Sequence, residues 1–182
     1  YPANEPDQSV IRVSWNEASE FCKWLSEKCG VEVSLPTEKQ WEWAARGGSD
    51  KDFWFGKLGD NYGAFENFCD AQAVKFAVNG IDPQPRVNPE PELAFVPYDS
   101  DVDDGNLVMA NVGSYKQNPF GLYDMQGNVC EWTSDNYSET LGGRPVEGKK
   151  VVRGGSWRDR AKWARVSIRK DYAPWQKVYN VG

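Results

Sequence analysis

The chain has 182 residues and a formal charge of −6, from 27 acidic and 21 basic side chains. That length suits one domain with a substantial core. The acidic balance, without a basic stripe carrying interleaved aromatics, argues against a nucleic-acid partner. No apolar run approaches the roughly 20 residues needed to cross a bilayer, so no membrane span is expected. No basic, apolar signal segment opens the chain, although a mature or trimmed chain would have lost one.

Nine Trp, eight Tyr and eight Phe mean that burial can come from a few large side chains, while eleven Pro and seventeen Gly suggest a loop-rich fold with short elements. Histidine is absent. Its absence removes Ser-His-Asp and Cys-His nucleophiles and any imidazole-ligated metal within this chain. The four cysteines, Cys22, Cys29, Cys69 and Cys130, allow three full pairings, and spacing alone does not choose among them. Cys22 and Cys29 fall on one expected helix, about 10.5 Å apart along its axis. A disulfide needs Cα atoms within about 7 Å, which argues against that pair. There is no CxxC, and most of the thiols are expected to be free and partly buried.

In chain order, residues 1–10 read as an extended polar entry. SWNEASEFCKWLSEKCG follows as a helix, with Ser14 and Glu17 as a capping box, apolar residues at helical spacing and Gly30 as the stop. VEVSL (31–35) reads as a short strand. PTEKQWEWAARGG reads as a second helix, capped by Thr37 and Gln40 and ended by Gly47–Gly48. Residues 50–120 show little periodicity and include a Pro-rich loop at 82–97 and the acidic run DSDVDDGN at 99–106. As an EF-hand beginning at Asp99, that run has Asp104 instead of Gly at position 6 and Ala110 instead of Glu at position 12, so the motif fails. The remainder reads as short strands and turns: LVMANVGSY, GLYDMQGNVCEWTSD, KKVVRGGSW and RVSIRKDY. The C-terminal basic residues Arg153, Arg158, Arg160, Lys162, Arg165, Arg169 and Lys170 form either an ion-paired face or an anion site. No repeat or linker divides the chain.

VSWNEASEFCKWLSE (13–27), LPTEKQWEWAARGG (35–48), NPFGLYDMQGNVCEWTSD (118–135) and VVRGGSW (151–157), in this order and spacing, resemble the formylglycine-generating-enzyme (sulfatase-modifying-factor) family. The likeness covers nearly the whole chain, with the 70–100 region as an insertion and both ends clipped relative to the family pattern. It implies an α+β, C-type-lectin-like fold, loop-rich, with two helices and small antiparallel sheets.

The resemblance also implies two calcium sites. Asp124 and Glu131 carboxylates with Gly127 and Val129 carbonyls would form one. Asn67 and Asp104 side chains with Phe68 and Asn106 carbonyls would form the other, a looser match. This donor chemistry suits a hard cation; the alternative for Asp124 and Glu131 is that they satisfy turn N–H groups. Active members hold copper(I) on two cysteines shortly after GGS-aromatic, as soft thiolates favour that ion. The matching positions here are Asp159 and Ala164, so copper is not expected, and the histidine-ligated iron of related members is excluded. Cys130 stands where members carry Trp, and Ser156 matches a family active-site serine. Cys130, Ser156, Arg158, Asp159, Arg160 and Trp163, with Lys162, are candidate ligand contacts, or else ion pairs and packing groups.

Two functions are therefore weighed. One is a calcium-stabilised, secreted or extracytoplasmic module that binds a protein or glycan without generating formylglycine. The other is an oxidoreductase that matures a sulfatase-type cysteine or modifies a peptide oxidatively. A third, a target-binding protein with a variable lectin-like surface, matches KDYAPWQKVYN only in part.

Overall fold

A computed structural model describes residues 5–79, 82–88, 90 and 97–182. Helix α1 (Trp15–Cys29) starts at the expected capping box: Glu17 N–H donates to Ser14 Oγ at 3.3 Å, and Ser14 N–H donates to Glu17 Oε2 at 3.0 Å. It ends on Gly30, whose φ of 69° would strain other residues. Helix α2 (Glu38–Arg46) repeats the scheme with Thr37, Gln40 and Gly47.

Strands β1 (Phe76–Asn79) and β2 (Asp82–Pro85) form an antiparallel hairpin. The second sheet is antiparallel in the order β3 (Glu131–Asn136), β4 (Lys150–Arg153) and β5 (Arg169–Tyr172). Short 3₁₀ turns occupy Ala71–Val74 and Ala161–Trp163. The C-terminal segment runs alongside the start of β3: Cys130 N–H donates to Asn180 O at 2.9 Å, and Gly182 N–H donates to Cys130 O at 3.0 Å. Cys130, Trp132, Val152 and Val181 form the core beneath it.

Several sequence expectations need correction. Residues 31–35 form no strand; the Ser26 hydroxyl accepts the Val33 N–H at 2.8 Å and directs its own hydrogen to the Cys22 carbonyl at 2.8 Å, with the Val33 carbonyl at 3.1 Å, so Val33 is tied to the end of α1 instead of a sheet. Residues 107–115 form a single bridge, Asn111 with Gln8, because side chains of Asn67 and Asn128 bind their main chain. The 82–97 region is not wholly loop, since β2 lies within it; residues 80–81, 89 and 91–96 are outside the described set. The entry segment turns at residues 5–8, where Gln8 N–H donates to Glu5 O at 2.9 Å; residues 1–4 are outside the described set. All four cysteines are free, two of them buried.

Helix α2 is fixed to all three strands of the second sheet through Glu38. Its N–H donates to Asp135 Oδ2 of β3 at 2.6 Å, and its carboxylate accepts from Arg153 of β4 and Arg169 of β5. Arg153 is 1% exposed and also donates to Glu42 at 2.7 Å and to the Val166 carbonyl. Glu38→Ala removes a shared carboxylate from a buried guanidinium and is expected to cost about 3–5 kcal/mol. Glu20→Ala, which breaks an exposed pair with Lys23, should cost less than about 1 kcal/mol. Urea unfolding of the two variants checks this, and comparable losses would contradict the anchoring role of Glu38.

Candidate functional site

The 124–131 turn is shaped by residues that tolerate unusual backbone angles. Asp124 and Asn128 have φ values of 56° and 64°, in the left-handed region that short polar side chains visit most readily. A Cβ on Gly127 would lie 2.9 Å from both Asn67 N and Asn67 O, so only glycine fits. Asn128, fully buried, ties the turn to two other segments. Its N–H donates to Asn67 O at 2.9 Å, and its Oδ1 accepts from Ala110 N–H at 2.9 Å and Asn67 Nδ2 at 3.2 Å.

The carbonyls of this turn divide into two sets. Those of Gln126, Asn128 and Cys130 accept N–H groups from Gly155, Trp157 and Gly182. Among the described residues no hydrogen bond ends on the carbonyls of Gly127 or Val129. Asp124 Oδ2 accepts from Gly113 N–H at 2.9 Å, while its Oδ1 is buried without a partner. Glu131 Oε2 accepts from Trp41 Nε1 at 2.5 Å; burial, with Asp124 adding to it, pushes this carboxyl up to about 7. Two carboxylates and two open carbonyls thus occur together, the oxygen set that calcium prefers. No three His, Cys, Asp or Glu side chains form a metal cluster among the described residues, so a cation here would depend on those main-chain oxygens.

The second set is more heavily engaged. Asp104 Oδ2 accepts from Phe68 N–H and Oδ1 from Asn106 N–H, each at 2.9 Å. Asn67 directs Nδ2 to Val108 O at 2.9 Å and leaves Oδ1 buried and unpartnered. Asp104 N–H donates to Asp70, and burial raises these two carboxyls to about 7 and about 6, with Asp70 adding to the rise at Asp104. Glu66, which the sequence reading did not single out, joins the two regions. It is fully buried, accepts Trp54 Nε1 and Gln126 N–H, and is pushed up to about 8 by burial. Its Oε2 has no partner. Both sets therefore hold buried oxygen atoms whose partners the protein does not supply, and they fit a hard cation.

A separate polar cluster forms around Ser156. Ser156 Oγ donates to Asp159 Oδ2 at 2.7 Å and accepts from Asn180 Nδ2 at 2.8 Å. Lys170 Nζ donates to the same Asp159 oxygen at 2.8 Å and lies 3.2 Å from Cys130 Sγ. Burial pushes the Cys130 thiol up to about 12, opposed by the Lys170 charge. Cys69 borders Asp159 as well, donating its N–H to the Asp159 carbonyl at 2.9 Å. Ala164 is fully buried and its methyl fills the space over Gly155, where an added Cβ would come within 2.3 Å.

Of the predicted contact residues, Cys130, Ser156 and Asp159 meet in this cluster. Arg158 instead stacks on Tyr179 at 5.0 Å, and Arg160 pairs with Asp99 at 2.9 Å. Trp163 is 54% exposed, with Lys162 over its ring. The Arg160–Asp99 pair lies on a separate cleft of about 370 Å³ lined also by Tyr62, Tyr98 and Lys162. Lys170 and Asn180 were not singled out as site residues. Lys170 was read only within the basic C-terminal run, as an ion-paired face or an anion site, and Asn180 only as the end of KDYAPWQKVYN.

The architecture is thus that of a loop-rich α+β domain whose turns leave buried oxygens unpartnered near a polar side-chain cluster around Ser156. The family model of the sulfatase-modifying factor enzyme 1-like domain matches residues 2–182, and the chain belongs to that family. It is 30% identical over 190 residues to a formylglycine-generating enzyme of Streptomyces coelicolor, covering 97% of this chain and 52% of that protein. It is 31% identical over 182 residues to the inactive C-alpha-formylglycine-generating enzyme 2 of Bos taurus, covering 95% and 48%. PvdO from Pseudomonas aeruginosa superposes with a TM-score of 0.74 at 26% identity, covering 98% of this chain and 61% of that one. The chain spans about half the length of the curated relatives it matches.

The raised carboxyls set a pH dependence. Glu66, Asp70, Asp104 and Glu131 hold protons in the folded state at pH values where the unfolded chain has lost them. Stability in chelator should therefore fall as pH rises from about 4, through the unfolded values, to about 8. Excess calcium should flatten that decline. Thermal melts at several pH values with chelator and with calcium test this, and parallel curves would contradict it.

Proposed function

We propose that this chain is a calcium-stabilised module of the formylglycine-generating-enzyme fold that engages a protein or glycan ligand and does not generate formylglycine. The observation that carries this reading is the fate of positions 159 and 164. Asp159 is committed to Ser156 and Lys170, and Ala164 is packed against Gly155. Neither residue supplies the thiolate that a copper(I) pair would need. A relative bearing the name of an inactive enzyme is compatible with this assignment.

The calcium part rests on the unpartnered Asp124 Oδ1 and Asn67 Oδ1, with the open Gly127 and Val129 carbonyls. When bound, calcium would neutralise the buried carboxylates and brace the turn. The ligand surface would include exposed Trp163 and the cleft beside Arg160, and the setting most consistent with calcium is extracytoplasmic.

Calcium at a hundredfold excess over its dissociation constant should stabilise the fold by about 2.7 kcal/mol. Asp124→Asn should remove most of the calcium-dependent rise in Tm. An unaltered melt in excess chelator, with no metal by elemental analysis, would refute the calcium assignment.

A second reading has one observation in its favour: the Cys130 thiol lies 3.7 Å from Asp159 Oδ2, and Cys69 adjoins the same residue through its main chain. In that reading the chain oxidises a substrate cysteine, as some relatives' names denote. The two are separated by copper(I) binding and oxygen uptake on a sulfatase-type cysteine peptide. The binding-module reading expects no copper(I) binding and no peptide-dependent uptake, whereas uptake over many turnovers that requires the peptide and disappears in Cys130→Ser would establish the oxidase.

A further inference from the structure

The Ser156 cluster contains a pair of groups that the calcium reading does not use. Lys170 Nζ lies 3.2 Å from Cys130 Sγ, closer than ordinary contact between nitrogen and sulfur demands. Asp159 Oδ2 stands 2.8 Å from the nitrogen and 3.7 Å from the sulfur, so one carboxylate oxygen touches both. The three arrive from separate parts of the fold: Cys130 from the start of β3, Lys170 from β5 and Asp159 from the turn after Ser156. Val152 of β4, paired in register with Lys170 on one side and Trp132 on the other, spaces the two outer strands.

Access and environment differ for the two reacting atoms. Cys130 is fully buried, whereas the Lys170 side chain is 19% exposed, so the pair sits at the edge of the core. Asn180, 6% exposed, donates to Ser156 Oγ and leaves its own Oδ1 buried without a partner beside the same cluster. The cluster therefore retains an acceptor atom for which the protein offers no donor. Burial of Cys130 keeps bulky or charged oxidants from its sulfur. Dioxygen is small and uncharged, and it reaches such a place more readily.

We propose that Cys130 and Lys170 form an oxidative cross-link in which one oxygen atom bridges Sγ and Nζ. The oxidant is dioxygen. The thiol S–H and one amine N–H bond break, S–O and O–N bonds form, and the second oxygen atom leaves as water with those two hydrogens. Sulfur and nitrogen each give up two electrons, which together account for the four that dioxygen accepts. The extra proton of the lysine ammonium passes to Asp159 and from there to solvent. Fixed proximity of the two atoms replaces a bimolecular encounter, the role that neighbouring groups play in intramolecular chemistry. The product lies at a reversible level of thiol oxidation and is expected to yield to thiol reductants. It would join residues 40 apart in sequence and so restrict the unfolded chain, as a disulfide does.

The test is intact-mass spectrometry of the purified full chain, kept in oxygenated buffer or under argon and denatured without reductant. The oxygenated sample should gain one oxygen and lose two hydrogens, and dithiothreitol should restore the starting mass. Peptide mapping should join the segments containing residues 130 and 170, and the oxygenated form should melt higher than the reduced one. Lys170→Arg, which retains the charge at a partly exposed position, should abolish the product; so should Cys130→Ser. If the serine variant does not fold, the arginine variant and the wild-type peptide map decide the matter. Four thiols still titratable after oxygenation, a mass gain located on Cys22, Cys29 or a methionine, or a product that persists in Lys170→Arg would each overturn the proposal.

Discussion

The buried guanidinium of Arg153 is the constraint on which the remaining architecture depends. A charge at 1% exposure is costly to bury unless it is paired; Glu38, Glu42 and the Val166 carbonyl take its terminal N–H groups, while its Nε is left without a partner. Because Glu38 also holds Arg169, one carboxylate fixes the first turn of α2 against two adjacent strands. The Trp41 ring, 5.1 Å from the Arg153 guanidinium, is held in the same arrangement, and its indole N–H reaches Glu131. The ion network and the 124–131 turn are therefore mechanically one unit.

That unit explains how a fold with so little regular structure holds a defined site. The named elements contribute few contacts; the work of positioning falls to buried amides such as Asn67, Asn128 and Gln126, which bind main chain from distant segments. These amides replace the ladders that loops lack, satisfying backbone groups that would otherwise be buried unpaired. Against that background the unpaired oxygens of Asp124, Glu66 and Asn67 are conspicuous. They cluster where carboxylates raise one another's proton affinity, the electrostatic condition that a bound cation relieves.

The groups around Ser156 are held by one another more than by any regular element. Asp159 forms a hydrogen bond with Ser156 and an ion pair with Lys170, so the groups around the substituted position are internally satisfied. Ala164 is just as settled, since its methyl lies in the aromatic core with Phe53 and Phe68. Fold membership is shared with active and inactive relatives alike, and the site residues carry the functional distinction.

The sequence alone determined both helices, because capping boxes and terminal glycines act within a few residues and need no tertiary partner. It also placed β3, β4 and β5 within or overlapping segments read as short strands and turns, without fixing their ends, and, through motif order, placed the chain in its family. Local pattern misjudged residues 31–35, read as a short strand, and 107–115, read among short strands and turns, where side-chain hydrogen bonds from Ser26, Asn67 and Asn128 claimed the backbone. The motif match named Asp124, Glu131 and Ser156, yet it missed Glu66, Lys170 and Asn180. Those residues join their clusters through contacts spanning 60, 40 and 24 positions, a separation at which periodicity carries no information. Only the tertiary structure decided that Arg158, Arg160 and Trp163 leave the pocket while Lys170 enters it. The reason is strand pairing: the register of β5 against β4 brings Lys170 toward Cys130, whereas the 3₁₀ turn at Ala161–Trp163 carries its neighbours to the surface.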